Sequence, residues 1–263
     1  MSGLTEENPV GLSLERGIAT LTLQRERQLN ALNRELLLAL QQHLDTLAHS
    51  QELRVVVLRG AGRAFAAGAD IAQMKVMTAV EAEEFSKLGQ RVFRQLEQLP
   101  HPTLALIHGY ALGGGMELAM ACDIRMAAVG TRFGQPEVTL GVIPGFGGTQ
   151  RLPRLVGKGN ALRWLLSGDL LDAQQALAIG LVTDVVGADE LWDRGQELAD
   201  KLSQLAPQAL TRVKQAVDQG SGMALDQGLS LEAALFGLCF ATKDQEEGMT
   251  AFLAKRKPGF SGK

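Results

Sequence analysis

The sequence predicts an α/β fold in which short strands alternate with amphipathic helices. Three observations carry this reading. Short apolar runs recur along the first two thirds of the chain, and each is followed by a glycine-rich turn. Each turn leads into a stretch whose apolar residues return every three or four positions. The phrase strand, turn, helix then repeats, which is the pattern of an alternating α/β architecture.

The elements follow in order. GIATLTLQ (Gly17 to Gln24) alternates apolar and polar residues, as a half-buried strand does. Asn33 stands as an N-cap before a helix in which Leu36, Leu40, Leu44 and Leu47 form one stripe. RVVVLRG (Arg54 to Gly60) is a short buried strand ending in a glycine turn. After FAAGADI, the residues Phe85, Leu88, Val92, Leu96 and Leu99 mark a second helix, which Pro100 and Pro102 stop. TLALIHG and DIRMAA are further buried strands on either side of YALGGGMELAMAC. Beyond about Thr149 the chain turns mainly helical, apart from a strand at LVTDVV near Val182. The main helices there are expected around 191–205, 208–217, 229–240 and 244–255. The resulting division is a core over 1–200 and a helical region over 201–263, with a soft boundary.

Composition sets outer limits. The 263 residues are 46% hydrophobic and 21% charged, which is enough material for a sizeable core. A net charge of −3 offers no general electrostatic reason to bind nucleic acid or an anionic membrane. MSGLTEENPVGL lacks the basic and apolar regions of a secretory leader, and no apolar run reaches the 18 or so residues of a membrane helix. Cys122 and Cys239 lie far apart in apolar surroundings, so reduced core thiols and a cytoplasmic location are expected.

Familiar site motifs are missing. Leu118 stands where the last glycine of a dinucleotide fingerprint would be needed, and Lys158 precedes Gly159 rather than Ser or Thr. There is no nucleophile elbow, and no Cys/His spacing that suits a metal. His108, at a strand end, reads as structural. Two strand-to-helix junctions remain, AFAAGADIAQM and HGYALGGGMELA. At each, glycine permits a tight turn and a helix start leaves N–H groups unpaired. Two such groups aimed at one point would make an oxyanion hole for a carbonyl on its way to an enolate, each donor contributing on the order of 3 kcal/mol. Taken singly, either stretch reads better as close helix–sheet packing, and Asp70 as a helix N-cap. A third stretch, RFGQPEVTLGVIPGFGGTQRL, brings another carboxylate, Glu137, and reads as a structured site loop.

At these residues the chain resembles the crotonase family, the enoyl-CoA hydratase/isomerase superfamily. FAAGADI, GYALGGGMELAMACDI, FGQPEVTLGVIPGFGGTQRL and EGMTAFLAKRKPGF occur in family order over nearly the whole chain. The resemblance implies a right-handed spiral of β-β-α units with a C-terminal helical trimerisation region. It also implies homo-oligomers, trimers paired into hexamers, working in fatty acid β-oxidation. By the same resemblance the oxyanion donors are the backbone N–H groups of Ala69 and Gly114, and the catalytic carboxylates are Glu117 and Glu137. Gly145 would help place the attacking water, with Gln135 beside Glu137. Ala67, Gly68, Ala69, Asp70 and Ile71 would meet the adenine end of coenzyme A, and Phe252 and Lys255 would reach a neighbouring subunit's CoA. Glu26 and Ala72 depart from the common proline and lysine of the family, leaving Arg25 or Arg27 to meet the CoA phosphates. Coenzyme A is then the substrate's handle, and no cofactor or metal is required. The acyl pocket wall is expected from Met74 to Met77 and from the Trp164 region.

The chemistry implied is reversible water addition to a trans-2-enoyl thioester. Glu117, in a first helical turn, is expected to be ionised and to take a proton from water, since a helix N-terminus favours negative charge by about 0.3–1 kcal/mol. Glu137, beside Phe133, Pro136 and Leu140, is expected to be desolvated, protonated and the donor to C2. A Δ3,Δ2-enoyl-CoA isomerase would need only one carboxylate, whereas hydratases of aromatic or branched-chain breakdown would share both. An RNA-binding relative would need a lysine-rich helix, and AVEAEEFSKLGQRVFRQLEQL mixes signs instead. An inactive acyl-CoA scaffold has no use for intact glutamates.

Overall fold

The computed structural model describes residues 8–263. The expectation about a leader concerns residues 1–12 and lies largely outside the described residues. In chain order the elements are β1 (Val10–Glu15), β2 (Ile18–Leu23), α1 (Arg34–Ala48), β3 (Val55–Gly60), α2 (Ile71–Met74) and α3 (Ala79–Glu97). Then come β4 (Thr103–Ile107), β5 (Tyr110–Leu112), α4 (Gly114–Met120), β6 (Ile124–Ala128), β7 (Arg132–Gly134) and α5 (Gly148–Val156). The remainder is α6 (Lys158–Ser167), β8 (Leu170–Asp172), α7 (Ala173–Ala178), β9 (Asp184–Val186), α8 (Leu191–Ser203), α9 (Pro207–Gly220), α10 (Leu225–Cys239) and α11 (Lys243–Leu253).

A six-stranded sheet has the order β1-β2-β3-β4-β6-β9, antiparallel at β1/β2 and parallel from β2 onward. A second sheet, β5-β7-β8, pairs parallel and then antiparallel. Single bridges Leu32↔Ala69 and Ala66↔Ala111 continue the second layer back along the chain. Each turn of the chain therefore adds one long strand to the first layer, one short extended piece to the second, and a helix.

The central strands β3 and β4 are buried on both faces. Val56, Leu58, Ala105 and Ile107 join the main core with α1 and α3, while Val55, Val57, Leu104 and Leu106 pack with Leu191 and Ala199 of α8. That two-sided burial is why these strands read as continuous apolar runs. α1 starts where Asn33 accepts from the Leu36 amide, and its leucines at 36, 37, 40, 44 and 47 are buried. Each such side chain contributes about 1.5–3 kcal/mol relative to an exposed one. α3 begins with a capping box between Thr78 and Glu81. α9 is pinned to the sheet by Lys214, which donates to Asp123 at 2.8 Å.

The three-residue strands β5, β7 and β8 leave no alternation to read, and the sequence expectation did not include them. The stretch expected as a site loop is more ordered than that. It begins with β7, turns through a 3-10 segment at Pro136–Leu140, and enters α5 at Gly148. Among the described residues no helix is long and apolar enough to cross a membrane.

Candidate active site

The two layers open on a cavity of about 910 Å³ between α3, the start of α4 and the segment from Pro136 to Gln150. The sequence between Gly113 and Glu117 explains one wall. Gly113 adopts φ 47° and ψ −123°, a backbone conformation that side chains rarely tolerate, and from it α4 starts directly. A Cβ on Gly113 would also come within 2.7 Å of Glu137 Oε1. The first amide of α4, that of Gly114, therefore has no partner within its helix. Ala69 follows the positive-φ Gly68 on the opposite strand piece. Among the described residues, no backbone acceptor takes the N–H of Gly114 or of Ala69, and both residues line the cavity.

Glu117 is 1% exposed, and its carboxyl lines the same cavity. Its Oε1 accepts from the amides of Phe146 at 2.8 Å and Gly148 at 2.6 Å. Desolvation nevertheless pushes its pKa up to about 8; the two amides and Arg151 oppose the rise, and the neighbouring Glu137 adds to it. Glu137 faces the cavity from the 3-10 turn, and burial pushes its pKa up to about 7. This corrects the charge assignment made from sequence. The helix start is worth at most about 1 kcal/mol and does not outweigh the loss of water around Glu117. Burial raises both carboxyls toward neutral pH, and each influences the other's titration.

Gln135 is fully buried beside them. With its amide nitrogen turned toward Glu137 it donates to both carboxylate oxygens at 3.2 Å. Turned the other way, it donates to the Gly113 carbonyl at 3.3 Å. The first arrangement suits an ionised Glu137, the second a protonated one.

The remaining expected residues divide. Ala67, Gly68, Ile71 and Gly145 line the cavity, as do Met74 and Met77. Asp70 does not; it caps α2 through the Gln73 amide and pairs with Arg25 at 3.0 Å. That pairing commits Arg25, and Arg27 sits exposed on the 3-10 turn Glu26–Gln28, outside the cavity wall. Phe252 is 82% exposed and Lys255 is also exposed; neither lines the cavity of its own chain. Trp164 is buried in the core and does not form the pocket wall, contrary to expectation. His108 bonds the Gly62 carbonyl at 3.0 Å, a structural role. Among the described residues no group of three or more His, Cys, Asp or Glu is placed to hold a metal ion. The sequence did not reveal Ser86, Gln90, Phe146, Gly148 and Arg151, which surround the Glu117 carboxyl or its amide donors. The bonds that tie Ser86, Gln90, Phe146 and Gly148 to the site span 29 to 59 residues, beyond any local pattern.

One cavity is thus lined by two residues with unpaired backbone amides and by two carboxyls whose pKa values burial raises. The comparisons with known proteins define the class. The family model described as enoyl-CoA hydratase/isomerase matches residues 13–263, and the chain belongs to that family. Among curated relatives, the crotonyl-CoA hydratase of Syntrophomonas wolfei is 46% identical over 253 residues, covering 96% of this chain and 97% of that protein. The short-chain-enoyl-CoA hydratase of Clostridium acetobutylicum is also 46% identical with the same coverage. Among solved structures, enoyl-CoA hydratase from Bacillus anthracis superposes with a TM-score of 0.94 at 38% identity, covering 97% of this chain and all of that one. The mixed α/β spiral with its helical C-terminal region is therefore the crotonase fold.

Proposed function

We propose that this chain is an enoyl-CoA hydratase that adds water reversibly, in syn fashion, across trans-2-enoyl-CoA to give 3-hydroxyacyl-CoA. One observation carries the reading: Glu117 and Glu137 face the same cavity as the unpaired amides of Ala69 and Gly114. The thioester oxygen sits between those two amides, which hold the developing enolate. Glu117 takes a proton from the water whose oxygen attacks C3, and Glu137 delivers a proton to C2. Two carboxyls rather than one favour hydration over double-bond migration. The productive state has Glu117 ionised and Glu137 protonated. Burial raises both groups toward neutral pH, so that state is reached by moving one proton within the pair. The reaction needs no metal or redox group, since the thioester itself acidifies C2. Coenzyme A enters as part of the substrate. The direct test is loss of the ultraviolet absorbance of crotonyl-CoA on incubation with the protein; no loss at micromolar enzyme sinks the proposal.

The pH profile follows from the pair. Rate rises as the base loses its proton and falls as the acid loses its own. The profile of kcat/KM for crotonyl-CoA is expected to be bell-shaped with a maximum between pH 7 and 8. Both limbs lie well above the ordinary carboxylate range of about 4.3. A flat profile from pH 5 to 9 would remove the pair from the rate-determining step.

The resemblance to the family also supports a homo-oligomer. α10 shows Leu225, Leu229, Phe236 and Leu238 at its surface, and Phe252 and Leu253 of α11 are more than 80% exposed. Such a concentration of apolar surface on one chain suits burial by further copies. Light scattering is expected to give three or six times the 28.1 kDa chain mass. Phe236→Asp is expected to shift the mass downward, and a wild-type monomer at micromolar concentration would overturn the assembly.

A further inference from the structure

One peptide group in the cavity wall is held at both ends. The carbonyl of Gly145 accepts from Ser86 Oγ at 2.5 Å and from Gln90 Nε2 at 2.9 Å, both on α3. Gln90 Nε2 lies 3.1 Å from Ser86 Oγ as well. The N–H of the same peptide, that of Phe146, donates to Glu117 Oε1 at 2.8 Å. A continuous hydrogen-bonded chain thus runs from two α3 side chains through a single amide to the buried carboxyl.

We propose that Ser86 and Gln90 are positioning residues for the proton transfer, acting through the Gly145–Phe146 peptide to orient and strengthen one of the two amides that hold Glu117. The inference rests on the hydratase reading above and deepens it. Donors at an amide oxygen draw electron density from its nitrogen, so the N–H becomes a better donor; chained bonds strengthen one another by about 10–30% each. A stronger donor to a carboxylate favours its charged form. That is the form in which Glu117 accepts a proton from water.

A purely mechanical role for the two side chains is already filled by other contacts. The Phe146 ring packs edge-on against Phe85 and Phe93, with centroids 5.2 and 5.6 Å away. It fits a slot left by Gly89, whose Cβ would fall 2.3 Å from the ring. Arg151 donates to the Phe146 carbonyl at 3.0 Å and pairs with Glu97 of α3 at 3.2 Å. The loop is anchored without Ser86 and Gln90, and their donors are aimed at one of the two peptides that donate to Glu117. The charged groups that face Glu117 are Glu137 from the 3-10 turn and Arg151 from α5. Neither is altered by changes at positions 86 and 90.

The test uses Ser86→Ala, Gln90→Ala, the double variant, and Ser86→Thr as the conservative change. Glu117 is titrated by carbon-13 NMR of protein labelled at glutamate, its signal assigned by its loss in Glu117→Gln. The double variant is expected to raise the Glu117 midpoint by about half to one pH unit. The alkaline limb of kcat for crotonyl-CoA moves up with it while the acid limb stays in place, and kcat at pH 7 falls about 3- to 10-fold while KM stays within about twofold. Ser86→Thr keeps the hydroxyl and stays near the wild type. An unmoved Glu117 midpoint in the double variant, with its melting temperature unchanged, overturns the proposal. If the double variant unfolds, each single variant is read the same way. Because the titration needs no turnover, a protein that left crotonyl-CoA untouched would sink the reaction and still report on the relay.

Discussion

Glu117→Gln is expected to lower kcat for crotonyl-CoA hydration by at least about 100-fold, and Glu137→Gln by as much, because each removes one of two proton-transfer groups. The amide is close in size to the carboxyl, so the cavity keeps its shape. Its oxygen still accepts the Phe146 and Gly148 amides that now meet Glu117 Oε1. KM should therefore change little, and the double variant should lose far less than the product of the two single losses, since the pair works as a unit. Stability moves the other way. A carboxyl whose pKa rises from 4.5 to about 8 on folding holds a proton that the unfolded chain releases, so the native state weakens as pH climbs through that interval. Glu117→Gln removes this dependence. Its melting temperature should exceed that of the wild type at pH 8, and the gap should close below about pH 4.5. A folded Glu117→Gln enzyme with near-normal kcat would exclude this carboxyl from the chemistry.

The residues that could be read from sequence are those whose signal is local. Asn33 with its leucine stripe, and the valines of β3, carry their own periodicity and run length. The glycines at 113 to 115 betray a tight turn into a helix. Which pocket the turn faces is a different matter. Glu117 and Glu137 could be singled out only because four motifs matched a family together; their burial and mutual repulsion arise from tertiary packing. For the same reason the charge assignment failed. A helix N-terminus is visible in sequence, while the removal of water by Phe146 and its neighbours, closed in from α3, is not. Asp70 shows the converse. Its local reading as a cap holds, and Arg25, 45 residues away, occupies its remaining oxygen. β5, β7 and β8 escaped because three residues are too few to alternate.

Gly113→Ala is expected to lower kcat by about 100- to 1,000-fold, the loss seen when an oxyanion donor is removed. Two effects combine at this position. The backbone at φ 47° and ψ −123° lies outside the range open to alanine, and forcing it costs on the order of 1–3 kcal/mol. The new Cβ would also press to 2.7 Å from Glu137 Oε1. Relief of either strain rotates the peptide that carries the Gly114 N–H and shifts the acid group. Gly130→Ala provides the comparison, because Gly130 is also at positive φ, 85°, but a Cβ there meets nothing within 4 Å. Both variants should lose melting temperature, while only Gly113→Ala should lose kcat. A conjugated dienoyl-CoA bound to the wild type should absorb at longer wavelength than in water, because the two amides polarise its carbonyl. Gly113→Ala should diminish that red shift, and Gly130→Ala should keep it. An undiminished red shift in Gly113→Ala would mean that the Gly114 amide is not what grips the thioester oxygen.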